Sequence, residues 1–123
     1  MKIIVDSGYI LSFLEGNDKA VSVILHADER FVTIFDYALL LSAAEKTENP
    51  NHNIYIIKRF IHENFEVLEF SMKEVNTFAK LKSKYNISDI VLLNASIIIN
   101  SKIKYLTLKS EYFSIKEMKK LIF

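Results

Sequence analysis

The chain contains no cysteine, a single proline and only two glycines in 123 residues. Without cysteine there are no disulfides, thiolate zinc sites or cysteine nucleophiles, which fits a reducing compartment. Two glycines are too few for a glycine-rich phosphate loop or a dinucleotide fingerprint, so P-loop and Rossmann readings fall away. Neither sign of charge is in excess. The formal net charge of +1 gives no global electrostatic case for a nucleic-acid partner. His26, His52 and His62 lack metal-ligand spacing, and no HExxH helix is present, which removes a histidine metal site. Long apolar runs are also missing. The longest, Ile87 to Ile99, is interrupted by Asp89, Asn94 and Ser96 and is too short to span a bilayer. The first residues show no basic segment followed by a long apolar one, so the expectation is a cytoplasmic protein with no membrane association.

Half of the residues are hydrophobic and 25% are charged. That composition supports a sizeable core and argues against disorder. The length fits one domain spanning residues 1–123. Two lysine-rich segments, Lys73 to Lys84 and Lys116 to Lys120, read as solvated helix faces.

The apolar rhythm predicts strands at Lys2–Val5, Phe31–Ile34, Phe65–Phe70 and Lys104–Thr107, with a terminal edge strand at 121–123. Helices are predicted over 7–15, 19–27, 37–47, 54–63, 71–84, 88–100 and 114–120. Asp36 is placed to cap the third helix, and Glu48-Asn-Pro-Asn51 to break the chain after it. Ser71 with Glu74, and Ser114 with Glu117, have capping-box spacing. Strands separated by helices argue for an α/β fold with a parallel sheet covered on both faces and joined by right-handed crossovers.

Three places carry chemistry. Asp6 stands where the first strand ends and a helix begins, at the sheet edge where open α/β folds bind ligands. It is placed to hold a metal ion, and equally to cap the helix. Asp89 opens the mostly apolar helix of Ser88-Asp-Ile-Val-Leu-Leu-Asn-Ala-Ser96, where the positive end of the helix favours a carboxylate whether it caps or serves a site. Thr107, in Tyr105-Leu-Thr-Leu-Lys109, presents a hydroxyl at the same sheet edge. Asn94 and Ser96 are expected to satisfy one another inside the core. Tyr112 and Phe113 are candidates for stacking on a base or packing against the sheet edge.

Together, Ile4-Val-Asp6-Ser7, Tyr85 to Ala95 with Asp89 leading, and Tyr105-Leu-Thr107 followed by Glu111-Tyr112-Phe113 resemble the PIN domain. The likeness is nearest to the small single-domain toxin ribonucleases of the VapC type and covers nearly the whole chain. It implies a three-layer α/β/α fold with a central, mostly parallel sheet of four or five strands. It also implies magnesium or manganese on Asp6 and Asp89, with Glu45 assisting, and a metal-activated water that cuts RNA. Ser7, Thr107 and Lys109 would line the site. The implied partners are RNA, an antitoxin-like protein and a second copy in a homodimer.

Two departures bear on activity. Lys109 stands where the family turn carries an Asp, and Leu41 where a helix carries a Glu. Glu45 lies one turn beyond Leu41 on the same face. One reading is therefore a weak or inactive metal-dependent ribonuclease. The other is a non-catalytic RNA-binding or protein-interaction module in which Lys109 pairs with Asp6 or Asp89 in place of a metal. A flavodoxin-like or response-regulator-like domain is disfavoured, because residues 36–63 contain no central strand and no acidic pair follows the first strand.

Overall fold

The computed structural model describes residues 1–123. Its core is a four-stranded sheet, β1 (Lys2–Val5), β2 (Glu29–Thr33), β3 (Glu66–Leu68) and β4 (Lys104–Leu106), in the order β3-β2-β1-β4. All pairs are parallel. The helices are α1 (Ser7–Leu14), α2 (Asp18–Leu25), α3 (Ile34–Glu45), α4 (Pro50–Asn64), α5 (Met72–Lys84) and α6 (Asp89–Ser101). No helix is long and apolar enough to cross a membrane.

Strand alternation creates the three layers. Ile3 and Val5 face one apolar cluster with Ile10 of α1, Ile24 of α2, Leu40 of α3 and Ile61 of α4. Ile4 faces the other, with Leu81 of α5, Val91 and Leu92 of α6, and Tyr105 and Met118. From β1 the chain winds outward through β2 to β3. It then crosses back by α5 and α6 to place β4 on the other side of β1. The direction of winding thus reverses between β1 and β4, and ligands of open α/β sheets bind outside the carboxyl ends of the strands at such a reversal.

Several boundaries differ from the sequence expectation. Helix α3 begins at Ile34, not Tyr37, because the Thr33 hydroxyl caps it by accepting the Asp36 N–H at 3.0 Å. Asp36 is therefore inside the first turn instead of before it. Helix α4 begins at Pro50, where proline's missing N–H costs nothing. The expected Ser71–Glu74 capping box forms, with the Ser71 N–H and hydroxyl both donating to Glu74 Oε1 at 2.9 and 2.5 Å.

The expected helix over 114–120 is replaced by two 3₁₀ turns, Ser110–Ser114 and Lys116–Met118. Both halves of its capping box are drawn elsewhere. The Ser114 hydroxyl donates to the Glu111 carbonyl at 2.8 Å. Glu117 accepts from Tyr85 Oη at 2.6 Å and Lys84 Nζ at 2.9 Å. Residues 121–123 reach the sheet only as a parallel bridge between Tyr105 and Ile122.

The Glu117 contacts fasten the C-terminal segment to the end of α5. The Tyr85 hydroxyl and then Lys84 hold the Glu117 carboxyl down to about 2 from an ordinary value of 4.5. A lowered carboxyl stabilises the fold above its unfolded value, and that contribution is lost as pH falls toward 2. Because the Glu117 side chain is 31% exposed, Glu117→Gln is expected to cost only about 1 kcal/mol at pH 7. Urea unfolding should show the difference from wild type closing between pH 4.5 and pH 2.

Candidate functional site at the carboxyl edge of the sheet

Asp6 is 2% exposed. As the N-cap of α1 it accepts the Tyr9 N–H at 2.8 Å on Oδ1. Its other oxygen accepts the Thr107 hydroxyl at 2.6 Å. The Thr107 oxygen in turn accepts the Lys109 N–H at 3.1 Å. This chain of bonds spans the β1–β4 reversal, where the Asp6 N–H also donates to the Leu106 carbonyl at 3.1 Å. Capping and site position thus belong to one residue.

Asp36, 1% exposed, is the second buried carboxylate of this edge. The Ser7 N–H donates to Oδ1 at 3.2 Å. Oδ2 accepts from the Thr33 hydroxyl at 3.3 Å, Asn94 Nδ2 at 3.1 Å and the Tyr105 hydroxyl at 2.8 Å. Asn94 Nδ2 also donates to the Tyr105 and Tyr112 oxygens at 3.1 and 2.9 Å. Asn94 therefore bonds across to β4 and α3, not to Ser96, whose hydroxyl donates to the Leu92 carbonyl at 2.8 Å. Tyr112 is buried edge-on against Tyr105, while Phe113 is exposed. Burial, and next the Asp36 charge, raise the Tyr105 hydroxyl well above its ordinary range, so it stays a proton donor to Asp36.

The two acids have different surroundings. Burial raises the Asp6 carboxyl above 3.8, and the charge of Asp36 adds to the rise. Bonds from Thr107 and Tyr9 and the positive charge of Lys109 work in the opposite direction. A raised carboxyl is protonated more readily in the native state, so its ionisation weakens the fold as pH rises through the native value. Asp6→Asn is therefore expected to raise the melting temperature at pH 7, with the gain vanishing below pH 3.8. Thermal unfolding at pH 7 and pH 3 checks the sign.

Of the other sequence candidates, Ser7 and Lys109 adjoin this pair, whereas Asp89 and Glu45 form no hydrogen bond with it and do not line the Asp6 cleft. Asp89 opens α6 with its side chain 63% exposed and accepts from Lys82 Nζ at 2.7 Å. Glu45 ends α3 and is exposed. Ser7 is buried and contributes its N–H to Asp36. Lys109 is half-buried and forms no ion pair, so the expected pairing with Asp6 or Asp89 is not made. It contributes its N–H to Thr107, and its charge acts on Asp6 from the rim. Asp36 is the acid that sequence reasoning assigned only to capping. Its signal was available in Thr33-Ile-Phe-Asp36, a capping-box spacing placed directly after a strand.

A divalent ion of the magnesium type needs near-octahedral oxygen donors. The residues present do not fit one. No group of three or more His, Cys, Asp or Glu side chains is placed to hold a metal. The Asp36 oxygens are committed to donors from four residues, Ser7, Thr33, Asn94 and Tyr105. Asp6 opens on a cleft of about 440 Å³ that is also lined by Tyr9, Ser12, Asn17, Lys19 and Lys109, where ammonium groups oppose a second cation.

No protein-family model and no curated protein matches the sequence. Solved structures do match in fold. A chain of VapBC2 from Rickettsia felis, in a complex bound to a DNA fragment from their promoter, superposes with a TM-score of 0.80 at 17% identity. The match covers 99% of this chain and 96% of that one. DNA-bound VapBC from Salmonella typhimurium gives a TM-score of 0.82 at 15% identity, over 95% and 94% of the two chains. VapBC-1 from nontypeable Haemophilus influenzae gives 0.76 at 18% identity, over 99% and 96%. The α/β architecture is thus that of the PIN-like toxin–antitoxin structures, as the sequence resemblance implied.

Proposed function

We propose that the chain is a PIN-fold member of a toxin–antitoxin pair whose acidic site is a weak or silent form of a metal-dependent endoribonuclease centre. The full-length likeness in fold to chains of VapBC complexes supports the first half of that reading. The second half rests on the Asp36 carboxylate, which spends its acceptor capacity on Ser7, Thr33, Asn94 and Tyr105. A carboxylate held in this way works as a structural acceptor and is not free to ligate. Asp89 and Glu45 do not line the cleft beside Asp6, and Asp89 is held by Lys82. With Lys109 at the rim, magnesium or manganese gains little there. The missing charge stabilisation is of the order of several kcal/mol at a transition state.

The protein would then act chiefly by binding an antitoxin-like protein, as the VapBC complexes among the fold relatives suggest, and it would do so as a homodimer. The test is cleavage of a mixed RNA pool in millimolar manganese by wild type and Asp6→Asn. Wild-type turnover on the order of 1 per second or faster, lost in Asp6→Asn, would restore the active ribonuclease and overturn this reading. A rate at least about a thousandfold slower than that, lost in Asp6→Asn, marks a weak nuclease. No cleavage by either marks a non-catalytic interaction module, the second reading, which the lysines of the cleft favour.

A further inference from the structure

The cleft beside Asp6 has a lining that the metal-nuclease comparison does not use. Lys19 enters it from the first turn of α2 and Lys109 from the turn after β4. Neither lysine has an ion-pair partner. Asp6 is the only acid in the lining, and it is already occupied by Thr107 and Tyr9. Two lysines against one hydrogen-bonded carboxyl give the lining residues a formal excess of positive charge. Ser12 and Asn17 add polar groups to its wall. The Asn17 side-chain Oδ1 accepts the Ala20 N–H at 3.0 Å, which fixes that side chain and leaves its Nδ2 hydrogens as donors. Leu108, 77% exposed, and half-buried Tyr9 supply an apolar margin. About 440 Å³ lies within the ordinary range for small-molecule sites, roughly 300–1,000 Å³.

From this arrangement we infer that the cleft binds a small organic phosphate monoester without a metal. Its phosphate would lie between Lys19 and Lys109, and its apolar part against Leu108 and Tyr9. The inference rests on the proposed reading that Asp6 does not hold a divalent ion, and lysines serve phosphate as compact, strongly charged donors. A phosphate monoester carries close to two negative charges at neutral pH and matches two ammonium groups better than a diester does.

The test is calorimetric titration in EDTA at low salt with inorganic phosphate, adenosine 5′-monophosphate and adenosine as probes. The proteins are wild type, Lys19→Gln, Lys109→Gln, and Lys116→Gln as a control outside the cleft. Adenosine 5′-monophosphate should bind at least tenfold tighter than adenosine. Each cleft variant should weaken it by about tenfold, and Lys116→Gln should leave it unchanged. Phosphate binding as tightly as the nucleotide keeps the anion site and makes free phosphate its ligand. Equal affinity for nucleotide and adenosine, no binding at millimolar probe, or equal losses in all three variants overturns the inference. So does a short single-stranded RNA that binds a hundredfold tighter than the mononucleotide. Binding that appears only with manganese and is lost in Asp6→Asn would instead overturn the reading beneath it, so the two failures are distinct.

Discussion

Asp36→Ala is expected to destabilise the protein by about 3–5 kcal/mol, the size of effect seen when one partner of a buried charged network is removed. The Tyr105 hydroxyl, the Asn94 amide and the Ser7 N–H all lose a buried acceptor in the same substitution. The Thr33 hydroxyl loses its acceptor as well, although its cap on the Asp36 N–H survives. Against a total stability of roughly 5–15 kcal/mol, that is a large fraction of what holds the fold. Asp36→Asn keeps the shape but turns an NH₂ group toward donors, and it should cost about 1–3 kcal/mol. Urea unfolding of the three proteins at pH 7 decides the matter. A loss below about 1 kcal/mol for Asp36→Ala would mean that the network is not what holds α3, α6 and β4 together at this edge.

The contrast with Asp6 makes the point sharper. Both carboxylates are buried at the same edge, yet replacing Asp36 by Asn should destabilise the protein and replacing Asp6 by Asn should stabilise it at neutral pH. The difference lies in their donors. Asp36 collects them from α1, the end of β2, α6 and β4, whereas Asp6 takes one backbone N–H and one hydroxyl and keeps a face on the cleft.

Much of this architecture was legible in the sequence. The strand cores and the β1–α1 junction at Asp6 follow from apolar runs and their breaks. So does the placement of the Thr107 hydroxyl at the carboxyl edge, whereas the pairing of β1 with β4 that brings it to Asp6 appears only in the structure. The misread boundaries share one cause, which is that local capping signals have competitors in space. Thr33 outcompetes Asp36 as the cap of α3, and Glu117 leaves its capping box for Tyr85 and Lys84. The site was less legible than the fold for the same reason. Whether Asp36 or Asp89 accompanies Asp6 depends on partners distant in sequence, Tyr105 and Asn94 for one and Lys82 for the other. Spacing along one helix carries no information about them.

Lys109→Asp has the second large expected effect. It replaces a cation by an anion at the rim of the Asp6 cleft. Two charge units exchanged near a dication are worth on the order of 2–3 kcal/mol in a largely aqueous setting. Manganese affinity at the cleft should therefore rise about a hundredfold over wild type. The same substitution should remove binding of a phosphate monoester. Paramagnetic broadening of the Tyr9, Thr107 and Leu108 amide resonances during manganese titration would locate the gain. An unchanged affinity would show that the rim charge does not govern metal affinity at the cleft.

The most direct measurement is calorimetric titration of the wild-type protein with manganese at pH 7, beside Asp6→Asn under identical conditions. The account predicts that the two traces coincide, with no binding tighter than millimolar in either, because Asp36 is committed to its four donor residues and Asp6 stands alone with Lys109. A wild-type isotherm in the micromolar range that disappears in Asp6→Asn would contradict it and would establish the acidic edge as a working metal centre.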